Sequence, residues 1–152
     1  MASALHVPRW QRHLYLLIVL VLLVSGFGQM PIFKRYYIAD VPGLGWTADF
    51  YVTHLLHYLA AGVFLLLVFA WLGQWLVGGR GRLSALGWAR AALLAGIVVS
   101  GFMRVAKNFD SWHWSPTTTL LIDWGHLLLV MLLGGVALAR VLQRSLARRR
   151  TA

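Results

Sequence analysis

The sequence predicts an all-α membrane protein: a four-transmembrane-helix bundle with both termini in the cytoplasm. Three observations lead there. Hydrophobic residues make up 60 % of the 152 residues, a membrane composition rather than that of a soluble core. Four apolar segments, at about 13–30, 50–73, 86–106 and 119–142, are each close to the ~20 residues that cross a bilayer as helix. The cations are distributed unequally between the two sides those spans define.

In chain order, the first span runs from His13 to Met30 and is followed by a polar stretch, MPIFKRYYIADVPGLGWTADF, too polar to cross. Its aromatics and basic pair suggest a piece lying on the outer surface, where a partner subunit or a quinone head group would dock. The second span opens at Phe50 and is the longest apolar run of the chain. Gly78, Gly79 and Gly81 break it from the third span, and Pro116 breaks the third from the fourth. Aromatic residues cluster at span ends (Trp10, Tyr15, Trp46, Tyr51, Trp75, Trp88, Trp112, Trp114), as interfacial belts do. The whole chain reads as a single four-span domain.

Orientation follows from the arginines and lysines. Arg9, Arg12, Arg80, Arg82, Arg90, Arg140, Arg144, Arg148, Arg149 and Arg150 fall on one side, and only Lys34, Arg35, Arg104 and Lys107 on the other. The positive-inside rule assigns the first group to the cytoplasm. Asp40, Asp49, Asp110 and Asp123 all lie towards the other side, so the formal net charge of +10 sits on the cytoplasmic face. That distribution, tail RSLARRR included, reads as topology and contact with anionic membrane lipid, and no nucleic acid partner is expected. No stretch reads as a cleaved signal peptide. The absence of cysteine excludes disulfides, cysteine-ligated iron–sulfur clusters and thiolate zinc sites.

A short internal repeat is present. Val24-Ser25-Gly26-Phe27 near the end of span one recurs as Val99-Ser100-Gly101-Phe102 near the end of span three, and His57 of span two has a counterpart in His126 of span four. Histidine inside a membrane helix is costly and marks a functional position. Counted from Phe50 and Thr119, His57 and His126 are each ~10 Å into their spans, at matching depth near the outer leaflet. Two such imidazoles can hold a haem b between helices, with Gly62, Ala60 and Ala61 beside His57, and with Gly26, Gly28 and Gly101 at similar depth to face the flat macrocycle. Iron held by two histidines is an electron-transfer site without an open position for substrate.

The remaining candidates carry open roles. His54, one turn from His57, would ligate a second cofactor, hydrogen-bond a propionate, or replace His57 as ligand. His13 lies ~25 Å from the outer end of its span and cannot share iron with His57. It is a ligand with a partner from elsewhere, part of a quinone pocket, or an interfacial residue beside Arg9 and Arg12. His113 sits in a loop between Trp112 and Trp114 and fits packing or a partner contact. Arg104 and Lys107 are placed to pair with haem propionates, or to snorkel. Asp123 would orient a histidine, carry a proton, or favour a helix start. His6 reads as a solvated terminal residue.

These residues resemble the b-type cytochrome membrane subunits of respiratory formate dehydrogenases and nickel-iron hydrogenases, over all four spans. The matching features are Arg12-His13 ahead of a run ending Ser-Gly-Phe, Leu56-His57 followed by small residues, Ser100-Gly101-Phe102 leading to Arg104, and Leu121-Ile122 before His126. Ala61 stands where that family usually has glycine. The family's fourth helix carries a second, deeper histidine, where this chain reads GGVALARVLQ. The resemblance implies two haems stacked across the membrane, the outer on His57 and His126 and the inner involving His13. It also implies a quinone site near the inner haem and an iron–sulfur subunit, or another redox subunit, on the outer side.

The expected function is therefore a subunit of a larger respiratory oxidoreductase in a bacterial or archaeal-type inner membrane. It would bind at least one haem b through His57 and His126, with Arg104 at its edge, and pass electrons between an outer redox partner and membrane quinone. No residue set supports independent substrate catalysis. Two other classes stay open: a haem-free anchor or assembly subunit whose histidines only pack, and a metal site or transporter built from His54, His57, His113 and His126.

Overall fold

Helix ends in this chain are set by local chemistry that can be named. Asp49 accepts the Val52 N–H at 3.1 Å and caps the helix that starts at Phe50. Ser84 does the same for Gly87 N–H at 3.2 Å, ahead of the helix from Ala85. Ser115 accepts from Thr118 N–H at 3.1 Å, with Pro116 as the first helical residue, where its missing N–H costs nothing. The fourth span thus begins a turn earlier than the expected 119, because Pro116 starts the helix rather than ending a loop.

The structure, a computed structural model, describes residues 7–30, 32–78 and 83–150. His6, Pro31, Gly79, Arg80, Gly81 and Arg82, all used in the sequence reading, lie outside them. The described chain is all-α, with α1 Arg9–Gly28, α2 Ile32–Arg35, α3 Phe50–Val77, α4 Ala85–Ala106 and α5 Pro116–Arg150, and two short 3-10 turns at Ile38–Asp40 and Gly45–Ala48. Four helices, Arg9–Gly28, Phe50–Val77, Ala85–Ala106 and Pro116–Gln143, are long and apolar enough to cross a membrane. α5 continues to Arg150 and is about 52 Å long, so its basic last turns extend past a hydrocarbon layer of about 30 Å.

Contacts divide the chain into two helical hairpins, Met1–Gly81 and Arg82–Ala152. In the first, α1 and α3 run antiparallel. Trp71 Nε1 donates to Gln11 Oε1 at 2.9 Å near one end, and Tyr15 packs on Phe64 and Trp71. Ile18, Ala60 and Leu67 are buried between the helices, with Leu14, Val21 and Leu22 against them. The polar stretch after α1 folds over the other end of this hairpin. Its turn at Val41–Leu44 places Pro42 and Gly43 in the middle, with Gly43 at φ +88° and Leu44 N–H donating to Val41 O at 2.9 Å. That is the positive φ a type II turn assigns to glycine.

The closest approach in the first hairpin is at Gly28. A Cβ there would stand 2.6 Å from Thr53 Cγ2 and 3.2 Å from the Thr47 carbonyl oxygen. Thr47 and Thr53 are themselves buried, and each hydroxyl donates to a backbone carbonyl of its own turn (Thr47 to Leu44 O, Thr53 to Asp49 O). In the second hairpin α4 and α5 run antiparallel, and Gly96 lets Leu129 approach the α4 backbone. Large apolar side chains such as Leu16, Leu66, Phe69, Val99, Phe102, Leu121 and Leu138 are exposed on all four long helices. Such a surface suits lipid and neighbouring helices.

Gly28→Ala should destabilise the first hairpin by about 1–3 kcal/mol through overpacking against Thr53 and the Thr47 carbonyl. Gly62→Ala, where a Cβ meets nothing within 4 Å, should be neutral or slightly stabilising. Thermal melts of the two variants in the same detergent check the contrast.

Candidate functional site

Each hairpin holds one imidazole in the same way. In the first, Ser25 Oγ on α1 and His57 Nδ1 on α3 are in hydrogen-bond contact at 3.0 Å. In the second, Ser100 Oγ on α4 and His126 Nδ1 on α5 are in contact at 2.9 Å. The glycine after each serine clears the room for the ring. A Cβ on Gly26 would stand 3.3 Å from His57 Cε1, and one on Gly101 would stand 3.4 Å from His126 Cε1. The Ser-Gly pair is thus a clasp: the hydroxyl takes the nitrogen, and the bare backbone takes the ring edge. Gly26 and Gly101 lie against the two imidazoles.

The correspondence continues one turn further along both hairpins. Four residues after Ser25 is Gln29, and three before His57 is His54; Gln29 Oε1 and His54 Nδ1 are 3.3 Å apart. Four residues after Ser100 is Arg104, and three before His126 is Asp123; Arg104 Nε donates to Asp123 Oδ1 at 2.8 Å. The two hairpins therefore share one register, with a conserved geometry at the first rung and different chemistry at the second. This register pairs His57 with His126 and His54 with Asp123.

The second rung is an amide–imidazole contact in the first hairpin and an ion pair in the other. His54 is flanked by Phe50, stacked at 5.1 Å between ring centroids, and by Tyr58 at 4.2 Å. Asp123 is shared: Lys107 Nζ also reaches Oδ2 at 3.4 Å. Two cations around one carboxylate leave a formal +1 one turn from His126. Asp123 pairs with Arg104 and Lys107 across the seam. These three side chains are about a quarter to a third exposed, so the pairing itself stabilises weakly, by about 0–1 kcal/mol.

The other expected residues stand apart from these clasps. His13 is exposed on α1 and lines an open groove with Arg9, Arg12 and Leu16. His113 is exposed in the loop between α4 and α5, where Trp112 and Trp114 pack on each other at 5.6 Å. Within either hairpin, no three His, Asp or Glu side chains converge among the described residues. Each hairpin has one serine-clasped imidazole, and the first also carries His54 beside Gln29. Depth measured from helix starts is no longer matched, because His126 is about 15 Å from Pro116 while His57 is about 10 Å from Phe50. The shared register with serine replaces it as the measure of equivalence.

Sequence reasoning found both histidines and the Ser-Gly repeat but assigned no role to Ser25, Ser100 or Gln29. The signal that identifies them was present: the repeat and the histidines together define a register, and Gln29–His54 and Arg104–Asp123 fall on it. Comparison with protein-family models, with curated proteins and with solved structures gave no match.

The register has a direct test. Arg104→Gln with Asp123→His writes the first hairpin's second rung into the second hairpin. The two single variants should each be destabilised, and the double variant should melt within about 1 kcal/mol of the parent, at least about 0.5 kcal/mol more stable than the sum of the single effects predicts. Additive single effects in the melting cycle would show that the two positions do not form a common rung.

Proposed function

We propose that this chain is a haem b-binding membrane subunit in which His57 and His126 would hold the haem iron. It passes electrons between a redox partner on the outer side and membrane quinone, within a larger oxidoreductase. The observation that carries this reading is the duplicated clasp. Two equivalent imidazoles, each fixed by a serine and a glycine inside an apolar helix pair, are what a two-fold ligand set requires. An imidazole placed in a membrane span without function is a standing cost, and here the placement occurs twice with the same supporting residues.

The residues fit the group. The donors would be imidazole nitrogens, suited to iron, and each ring has a hydrogen-bond partner at Nδ1, as metal-bound histidines do. Arg104 and Lys107 bring the excess positive charge that offsets propionates at the polar end of a haem. His54 is a neighbour of the ligand in this reading, since the register gives it the place of Asp123. Bound haem supplies a one-electron carrier. The chain's own part is to hold two imidazoles still, keep water from them with leucine-rich helices, and set the local charge. His13, with Arg9 and Arg12, belongs to the cytoplasmic end, where the resemblance implies quinone and where anionic lipid meets the basic residues.

A second reading has its own support. Both imidazoles already have hydrogen-bond partners inside their hairpins, so a haem-free anchor or assembly subunit would need no further ligand to satisfy them.

The deciding experiment is reduced-minus-oxidised spectroscopy on purified variants. His57→Ala and His126→Ala should each lose nearly all b-type absorbance, while His54→Ala and His113→Ala should keep most of it. Full haem retention in both of the first two variants would remove the ligand assignment.

A further inference from the structure

We infer that Ser25 and Ser100 are positioning residues that lock His57 and His126 in the tautomer protonated at Nδ1. Each serine has a single hydroxyl proton and a choice of acceptors. Ser25 Oγ lies 2.6 Å from Val21 O, shorter than its 3.0 Å to His57 Nδ1. Ser100 Oγ lies 2.7 Å from Gly96 O, shorter than its 2.9 Å to His126 Nδ1. The carbonyl four residues back, in the same helix, is the closer acceptor in both cases and takes the proton. The hydroxyl oxygen is then left with lone pairs only, so the contact to the ring forms when Nδ1–H donates to Oγ.

A neutral imidazole carries one proton. With it on Nδ1, the lone pair is on Nε2, the nitrogen turned away from the clasp. Ser25 is 1 % exposed, so water does not compete for the Nδ1 proton there. The same arrangement in both hairpins presents two Nε2 donors without any proton to be released.

The acceptor also matters for strength. A hydroxyl already engaged with a carbonyl is a weaker acceptor than a carboxylate, so it draws less on the Nδ1 proton and leaves the ring close to a neutral imidazole. In the haem reading, on which this consequence rests, such ligands favour the reduced iron more than carboxylate-tied ones would. The serines touch neither iron nor substrate, and act only through the histidines.

The test uses the full chain in nanodiscs, labelled with 15N-histidine and read by side-chain 15N–1H correlation before any haem is added. His57→Gln and His126→Gln assign the two signals. Both rings should be protonated at Nδ1 in the parent, and Ser25→Ala and Ser100→Ala should each convert the facing ring to a mixture of tautomers. Ser100→Thr, which keeps the hydroxyl, should restore the signal of His126. Added haem should then bind about 10- to 100-fold more weakly to the alanine variants than to the parent, and their midpoint potential should rise. Protonation at Nε2 in the parent, or unchanged tautomers in both alanine variants, overturns the lock. A parent with Nδ1 protonated that takes up no haem overturns the ligand assignment and leaves the lock standing.

Discussion

The fold depends on one constraint: an imidazole inside an apolar helix pair must have a hydrogen-bond partner on the neighbouring helix. Lipid offers none, and the cost of an unsatisfied polar group there is several kcal/mol. Ser25 and Ser100 supply that partner across the seam. A Cβ on the next residue would stand close to the ring, 3.3 Å from His57 Cε1 and 3.4 Å from His126 Cε1. Glycine after serine removes that obstacle in both hairpins. Interhelical hydrogen bonds of this kind contribute about 0.6 kcal/mol on average. Their value here is in placement, since they fix the rotation of one helix against the other and so the direction of each ring.

From that rung the rest of each seam follows. One turn towards the loop, the first hairpin closes with Gln29 and His54, and the second with Arg104, Asp123 and Lys107. Further along, Tyr15, Phe64 and Trp71 fill the first seam with aromatic rings, while Gly96 and Leu129 close the second. The same serine–histidine contact is thus built beside two different second rungs. One is aromatic, with Phe50 and Tyr58 around His54, and the other is an ion pair of two cations on one carboxylate.

Much of this was legible in the sequence, for physical reasons. Length and hydropathy give the four spans directly, since a bilayer admits only apolar helices of about 20 residues. His57 and His126 stand out because ionisable groups are rare in such spans. The ends were less legible. Pro116 reads as a breaker, and only its placement behind Ser115 makes it a helix start. The roles of Ser25 and Ser100 were hidden because serine in a membrane helix usually satisfies itself against its own backbone, as these two also do. The pairing of Asp123 was not legible because sequence proximity to His126 on one helix says nothing about Arg104 and Lys107 on the other. Cross-helix register, which a single helix cannot reveal, places His57 opposite Ser25 and His54 opposite Gln29.

We propose that the two clasped histidines hold a haem, and a pyridine haemochrome count on the purified chain, with a low-temperature electron paramagnetic resonance spectrum of the oxidised protein, tests this first. Haem b should be bound to the chain, with a low-spin signal of bis-imidazole ligation that disappears when either His57 or His126 is replaced. A purified, folded chain with no haem, or with a haem whose signal survives both replacements, would remove the assignment.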